Sequence, residues 1–193
     1  MQDVVSRYQV GEVLDAGMLH PSTGYALWRR TISERNLHYV QVRQGAMLAL
    51  DTQVTLQVFW PPSPLHKGSS EELDNGLIVR LSAPGLTMLL LGATALSKHA
   101  LVGLLANINA GNLKADIVQI VAEVNKAFLT QLSTVLQAVK PSLVVITPAA
   151  QSAKQRKAST TSVITSLPQL FPGAQTVQTA QLGSVKIYTS NQG

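Results

Sequence analysis

A chain of 193 residues with 46% apolar and 13% charged content has enough material for one domain with a true core, and we read it as one domain spanning residues 1–193. The absence of cysteine excludes a disulfide framework and a thiolate zinc site. The net charge of +5 is uneven, because residues 1 to 123 carry 9 basic and 10 acidic side chains whereas residues 124 to 193 carry 6 basic and none acidic.

The longest apolar run, Leu86 to Leu96, is broken by Thr87 and Thr94 and followed by Ser97, Lys98 and His99. It falls short of the ~20 apolar residues that span a bilayer. Met1 is followed by Gln2, Asp3 and Val4, without the basic and then apolar start of a secretory signal. A soluble chain is expected.

In chain order, Val10 to Leu14 reads as a short strand, and Pro21, Ser22 and Thr23 supply helix-start residues before Tyr25, Leu27, Trp28 and Ile32. HYVQVR, MLAL and QVTLQVFW then read as a meander of short strands beginning at His38, with clean alternation in Val54, Leu56 and Val58. Residues 61–75, PPSPLHKGSSEELDN, have prolines, glycine, serines and three carboxylates but no apolar period, which predicts a loop insertion between two strands. GLIVRLSA and LTMLLLG flank Pro84-Gly85 and are expected to pair as a hairpin.

LTMLLLGATALSKHALVGLLA reads as a buried strand followed by a helix, and LKADIVQIV, NKAFLTQLSTVLQAV and KPSLVVIT as strand, helix and strand. A basic loop over residues 148–160 follows, then a short helix near Ser162 to Leu167 and two last strands, Gln175 to Gln178 and Ser184 to Thr189. The class is α/β (α+β by some schemes), a mixed sheet flanked by helices.

The four histidines, His20, His38, His66 and His99, never fall at HxH, HxxxH or HExxH spacing, so a metal site of their own needs assembly from distant segments. His99, beside Leu96, Ala100 and Leu101, reads as a partly buried or surface imidazole. Glu71, Glu72 and Asp74 read as a solvated acidic turn or helix cap. No GxSxG elbow, GxxxxGK phosphate loop or GxGxxG fingerprint occurs, which leaves hydrolase-triad and nucleotide-binding readings without support. Six cations spread over 70 residues have a solvated surface as their plain reading; a field that attracts polyanions is the functional one.

Several phrases in this order resemble the metallo-β-lactamase-like domain of ComEC, the family of bacterial DNA-internalisation competence proteins. The opening YQVGEVLDAG to LQVFWPP is similar to a family stretch in which strand, helix and meander end in a strand followed by proline. DNGLIVRLSAPGLTMLLLGAT resembles "NNxSLVLRLxxGxxxFLLTGD", and LKADIVQIVAEVNKAF resembles "LxADVLKVPHHGS". LQAVKPSLVVIT is similar to "LxAVKPxxAVIS", and GAQTVQTAQLGSVKIYTSNQG to "GxxVxxTxxxGxVxIxTDG".

The resemblance implies a metallo-β-lactamase-like αββα sandwich, mainly its second half, apparently truncated at its N-terminus because the HxHxDH ligand cluster would lie upstream of Met1. In active members the aspartate of "TGD" bridges two divalent ions and the "HHG" histidine is a further ligand. Here those positions hold Ala93 and Ala122 or Glu123. A two-metal hydrolase needs several carboxylate and imidazole ligands holding ions ~3.5 to 4 Å apart, so zinc or manganese is not expected, and no residue is assigned a catalytic role. Asp116 matches a non-ligand aspartate of the family, for which a structural role is expected.

What the resemblance implies for function is a catalytically degenerate metallo-hydrolase-like domain that takes part in DNA uptake by handling incoming DNA. Lys154, Arg156 and Lys157 are its candidate contacts to single-stranded DNA. A second reading is a structural module that packs against a membrane channel without touching DNA, and a third is residual metal-dependent nuclease or hydrolase activity. The implied partners are the upstream half-domain and membrane-channel region of a bacterial cell-membrane parent. Half of a two-sheet sandwich would also leave an apolar face uncovered; Val54, Leu56, Val58, Ile78 and Leu89 to Leu91 are its expected members, and self-association of the isolated chain its expected consequence.

Overall fold

The computed structural model describes residues 2–68, 71–107, 110–122, 126–148 and 172–188. The chain opens with α1 (Gln2–Arg7), β1 (Glu12–Asp15), α2 (Thr23–Glu34) and β2 (His38–Gln41). Helix α2 starts where Ser22, in extended backbone, accepts the Tyr25 N–H on its side chain. Strand β2 does not join the meander expected of it. It pairs in parallel with β1 as a separate two-stranded sheet, Val13 opposite Tyr39, because α2 supplies the crossover that parallel pairing needs. A small core of Val5, Val13, Trp28 and Ile32 holds this unit together.

The main sheet comprises β3 (Met47–Ala49), β4 (Thr55–Trp60), β5 (Ile78–Ala83), β6 (Leu86–Gly92), β7 (Ile117–Ala122), β8 (Leu143–Pro148) and β9 (Gln175–Gln178), in that spatial order. Strands β3 to β6 are antiparallel and β6 to β9 parallel, so the sheet is mixed, as expected. Pro84-Gly85 closes the β5–β6 hairpin with Gly85 at φ 70°, a conformation that suits glycine. Asp116 has a structural place at the start of β7: its carboxylate accepts the Thr87 N–H at 2.7 Å, and its carbonyl accepts the N–H groups of Ser142 and Leu143.

Between the strands lie α3 (Glu71–Asp74), a 3-10 turn at Ala93–Leu96, α4 (Lys98–Asn107), a second 3-10 turn at Ala110–Leu113 and α5 (Lys126–Val139). The predicted 61–75 loop does join two strands, β4 and β5, but it contains α3. The short α6 (Thr179–Leu182) follows β9. The strand expected at Ser184 to Thr189 does not form over residues 184–188, which pair with no strand; Gly183 at φ 75° ends α6 just before them. The expected helix at Ser162 to Leu167 and most of the 148–160 loop lie outside the described residues.

Pairing registers separate the two faces of the sheet. One face carries Ile78, Leu89, Leu91, Val118, Ile120, Val144 and Ile146, each at most 2% exposed beneath Leu101 and Leu104 of α4 and Val135, Leu136 and Val139 of α5. A bulge between Val58 and Trp60 lets Phe59 and Trp60 both enter this core. The opposite face is built from two rows. The first runs Leu56, Leu81, Met88, Ile117, Leu143 and Gln175, and the second Val58, Val79, Leu90, Gln119, Val145 and Val177.

Neither row belongs to the helix-covered core, and most of its members are half-buried. The set expected to be uncovered is therefore divided. Ile78, Leu89 and Leu91 face the helices and are fully buried, and Val58 is also buried. Leu56 and Leu90 lie on the opposite face. Alternation defines two faces, and only the helices decide which of them is covered.

Candidate functional site

Because β5 runs antiparallel between β4 and β6, and β6, β7 and β8 are parallel, the C-terminal ends of β4, β6, β7 and β8 reach one edge of the sheet. This is the edge where open α/β sheets bind ligands. Ala93 follows the last residue of β6 directly, and Ala122 is the last residue of β7, the neighbouring strand. Two of the positions that the resemblance assigns to metal ligands thus lie at the ends of neighbouring strands, and alanine has no lone pair to donate. That donor set does not fit a pair of divalent ions. Glu123 lies outside the described residues, as do Lys154, Arg156 and Lys157.

A neutral network occupies this edge. The Gly92 N–H donates to Gln119 Oε1 at 3.2 Å, Gln119 Nε2 donates to Thr147 Oγ1 at 2.8 Å, and the Thr147 hydroxyl donates to the Ile120 carbonyl at 3.2 Å. One amide thereby ties three strand ends, an arrangement that rigidifies the edge and offers no charge to a reacting group.

The loop between β4 and β5 closes the edge from the side. Asn75, 1% exposed, accepts the His66 N–H at 2.8 Å and donates to the carbonyls of His66 and Glu71 at 2.8 and 2.9 Å. Asp74 is not the solvated carboxylate that its acidic neighbours suggest. It is 8% exposed, accepts the Ser97 hydroxyl at 2.5 Å, and its carbonyl accepts the Trp60 indole N–H at 2.5 Å. His66 Nε2 lies 3.6 Å from the second Asp74 oxygen, and the His66 ring stacks on His99 with centroids 3.7 Å apart. His99 meets the edge of Trp60 as well.

Serine, histidine and aspartate meet here in an order that does not make a nucleophile. The Ser97 hydroxyl donates a hydrogen bond to the carboxylate and accepts the Ala100 N–H at 2.9 Å, which is a helix-capping geometry at the start of α4. Activation needs an imidazole base against the hydroxyl, with the carboxylate behind the imidazole. Here Asp74 stands between the two.

A groove of about 1180 Å³ adjoins this loop, walled by residues 14–21 on one side and by residues 64–68, 71–73 and 75–77 on the other. Its polar groups include Asp15, His20, Lys67, Glu71 and Glu72, and His20 Nε2 contacts Glu72 Oε1 across it. Gly76 seats the loop against the turn that begins at Ala93, since a Cβ there would fall 2.0 Å from Thr94 Oγ1. The Tyr39 phenol is pushed up to about 12, first by burial and then by the nearby Asp15 carboxylate. The pairs His20–Glu72 and His66–Asp74 supply two metal donors each, and among the described residues no three His, Asp or Glu side chains converge on one point.

Sequence reasoning missed Gln119, Asn75 and the apposition of His66 with His99. The first two carry no motif. The histidines are brought together by the β4–β5 loop folding against α4, which no local spacing records. No protein-family model matches the chain, and comparison with curated proteins gives no match. Among the described residues no helix is long and apolar enough to cross a membrane.

Proposed function

We propose that this chain is a catalytically degenerate metallo-β-lactamase-like domain of the ComEC type, which handles incoming DNA without cutting it. The observation that carries the reading is that the neighbouring strands β6 and β7 end next to Ala93 and at Ala122, the positions where the resemblance expects metal ligands. A mixed α/β sheet with parallel strands leading to that edge supports it. So does the charge distribution in the sequence, where Lys154, Arg156 and Lys157 fall within residues 124–193, a stretch without acidic side chains. Lysine and arginine side chains attract single-stranded DNA by neutralising phosphates and releasing counterions. On this reading the parent chain is a bacterial membrane protein, and the domain adjoins its channel.

The test is fluorescence anisotropy of a labelled single-stranded oligonucleotide, titrated at several salt concentrations. Replacing Lys154, Arg156 and Lys157 by alanine is expected to weaken binding. Since each phosphate contact contributes ~0.7 to the logarithmic salt slope for single strands, the slope should fall by roughly 2. Unchanged binding at low salt overturns the assignment of these residues. Absence of affinity at any salt overturns DNA handling and leaves the second reading, a structural module packing against a membrane channel, which the uncovered apolar sheet face favours.

A further inference from the structure

We propose that Ser22, His20 and Glu72 form an ester-hydrolysing site at the rim of the groove beside the β4–β5 loop, apart from the strand-end edge. Ser22 is its nucleophile, His20 its general base, and Glu72 the group that holds the base. The Ser22 hydroxyl lies 2.7 Å from His20 Nδ1, and His20 Nε2 contacts Glu72 Oε1. This is the order that Ser97, Asp74 and His66 lack, because here the imidazole stands between hydroxyl and carboxylate.

A backbone contact sets the tautomer. The Ser22 N–H donates to His20 Nδ1 at 3.0 Å, and since an N–H can only donate, Nδ1 carries the lone pair. The ring proton is then on Nε2, directed at the Glu72 carboxylate, and the basic nitrogen faces the hydroxyl. Tyr25 meets the His20 ring edge-on with centroids 6.4 Å apart.

Ser22 is also the N-cap of α2, a helix of 12 residues. Its side-chain oxygen accepts the Tyr25 N–H at 3.2 Å, and the helix N-terminus favours the negative charge that grows on this oxygen as its proton leaves. The N–H groups of Thr23 and Gly24, in the first turn, have no acceptor within the helix and supply donors for an oxyanion beside the nucleophile. Ser22 is exposed, and nothing lies within 4 Å of where a Gly24 Cβ would stand, so a substrate can approach this turn.

His20, Pro21 and Tyr25 line the groove, which therefore opens beside Ser22. Leu14, Met18, Leu65 and Leu77 give it an apolar lining, whereas Asp15 and Glu71 repel anions. The substrate class that fits is a carboxylic ester with an uncharged, apolar acyl chain. Ser22 Oγ bonds to the carbonyl carbon as its proton passes to His20 Nδ1; the bond from that carbon to the alcohol oxygen then breaks, and His20 returns the proton to the departing oxygen. Water, activated by the same imidazole, adds to the acyl-Ser22 ester and releases the carboxylic acid and free Ser22.

The proposal is independent of the DNA reading, and its test uses no DNA. The full chain is expected to hydrolyse p-nitrophenyl butyrate with saturation. A fluorophosphonate should block this turnover, with mass spectrometry finding the adduct on Ser22. Ser22→Asp keeps a capping oxygen for α2 but has no nucleophilic hydroxyl, and should abolish catalysis. His20→Gln should lower kcat by about a hundredfold or more. Glu72 touches the imidazole and not the ester, so Glu72→Gln should lower kcat by about tenfold at unchanged KM.

Hydrolysis that survives in Ser22→Asp overturns the proposal, because an exposed imidazole alone then accounts for the rate. An adduct on any other residue overturns it as well, as does a chain that neither turns over the ester nor reacts with the fluorophosphonate. The labelling is done on the unmodified chain, so a folding failure in a variant does not remove the test.

Discussion

The two faces of one sheet are written in the same strands, residue by residue in alternation, yet they have different fates. Ile78 and Leu89 are fully buried beneath α4 and α5, while Leu81, three residues further along β5, and Leu90, next to Leu89 on β6, are partly exposed. Hydrophobicity does not distinguish them. What differs is what the chain provides as cover: both long crossover helices, α4 after β6 and α5 after β7, pack on one side, and the rows on the other side lie outside that helix-covered core. Aliphatic content thus marks a surface as needing cover, and connectivity decides whether the same chain supplies it.

The largest expected effect comes from the covered face. Leu136 is fully buried against the sheet, so Leu136→Ala should lower unfolding free energy by about 3 kcal/mol, read as a lower urea midpoint at unchanged slope. A loss below about 1 kcal/mol would mean that α5 does not seal this face.

Next in size is the closest approach of helix to sheet. A Cβ on Gly103 of α4 would lie 2.4 Å from Trp60 Cη2, so Gly103→Ala must displace either the helix or the indole. Overpacking of this kind costs about 2 kcal/mol. The Trp60 indole donates to the Asp74 carbonyl, so the same change should shift tryptophan fluorescence as that bond is disturbed. An unshifted spectrum with full stability would show that α4 can slide freely, and the two faces would then differ less than their burial suggests.

A smaller effect is expected where the covered face meets the strand-end edge. Asn75→Ala removes the acceptor of the His66 N–H and the donor to two carbonyls in a position that is 1% exposed. Leaving those groups unpaired should cost about 1.5 kcal/mol in chemical denaturation. Proteolysis within residues 61–77 should rise further than global stability falls, since the loop opens locally before the sheet does. Equal changes in both would place Asn75 in the main cooperative unit.

Much of the fold was legible because it depends on local chemistry. Ser22 caps α2 as its position before Tyr25 suggests, Pro84-Gly85 turns a hairpin, and the apolar runs of β6, β7 and β8 fall where the pattern places them. Strand β2 was misplaced because HYVQVR alternates equally well for a meander or for a parallel partner of β1, and α2 settles the matter from outside the strand. The predicted strand beyond Gly183 has alternation in Val185 and Ile187 but no strand beside it in the described residues, and alternation without a ladder does not make a strand. That Ala93 and Ala122 fall at the ends of neighbouring strands follows from the apolar runs of β6 and β7. Gln119 and the His66–His99 stack arise from contacts 27 to 33 residues apart, which leave no periodic trace.

The smallest expected effect is the one that bears hardest on the comparison. Leu81 has the same side chain as Leu136 but lies on the uncovered face, half-buried by its neighbours. In dilute protein, Leu81→Ala should cost about 1 kcal/mol or less, because the atoms removed are already partly in water and no enclosed cavity is left behind. Self-association of the isolated chain through this face, expected from the sequence, would make the apparent cost grow with protein concentration. A cost near that of Leu136→Ala in dilute protein would mean that the monomer itself covers this face. A small cost that stays constant with concentration would mean that no second copy docks there. The slope against concentration, more than the value at any one dilution, separates a face that the isolated chain buries by self-association from one completed within the chain.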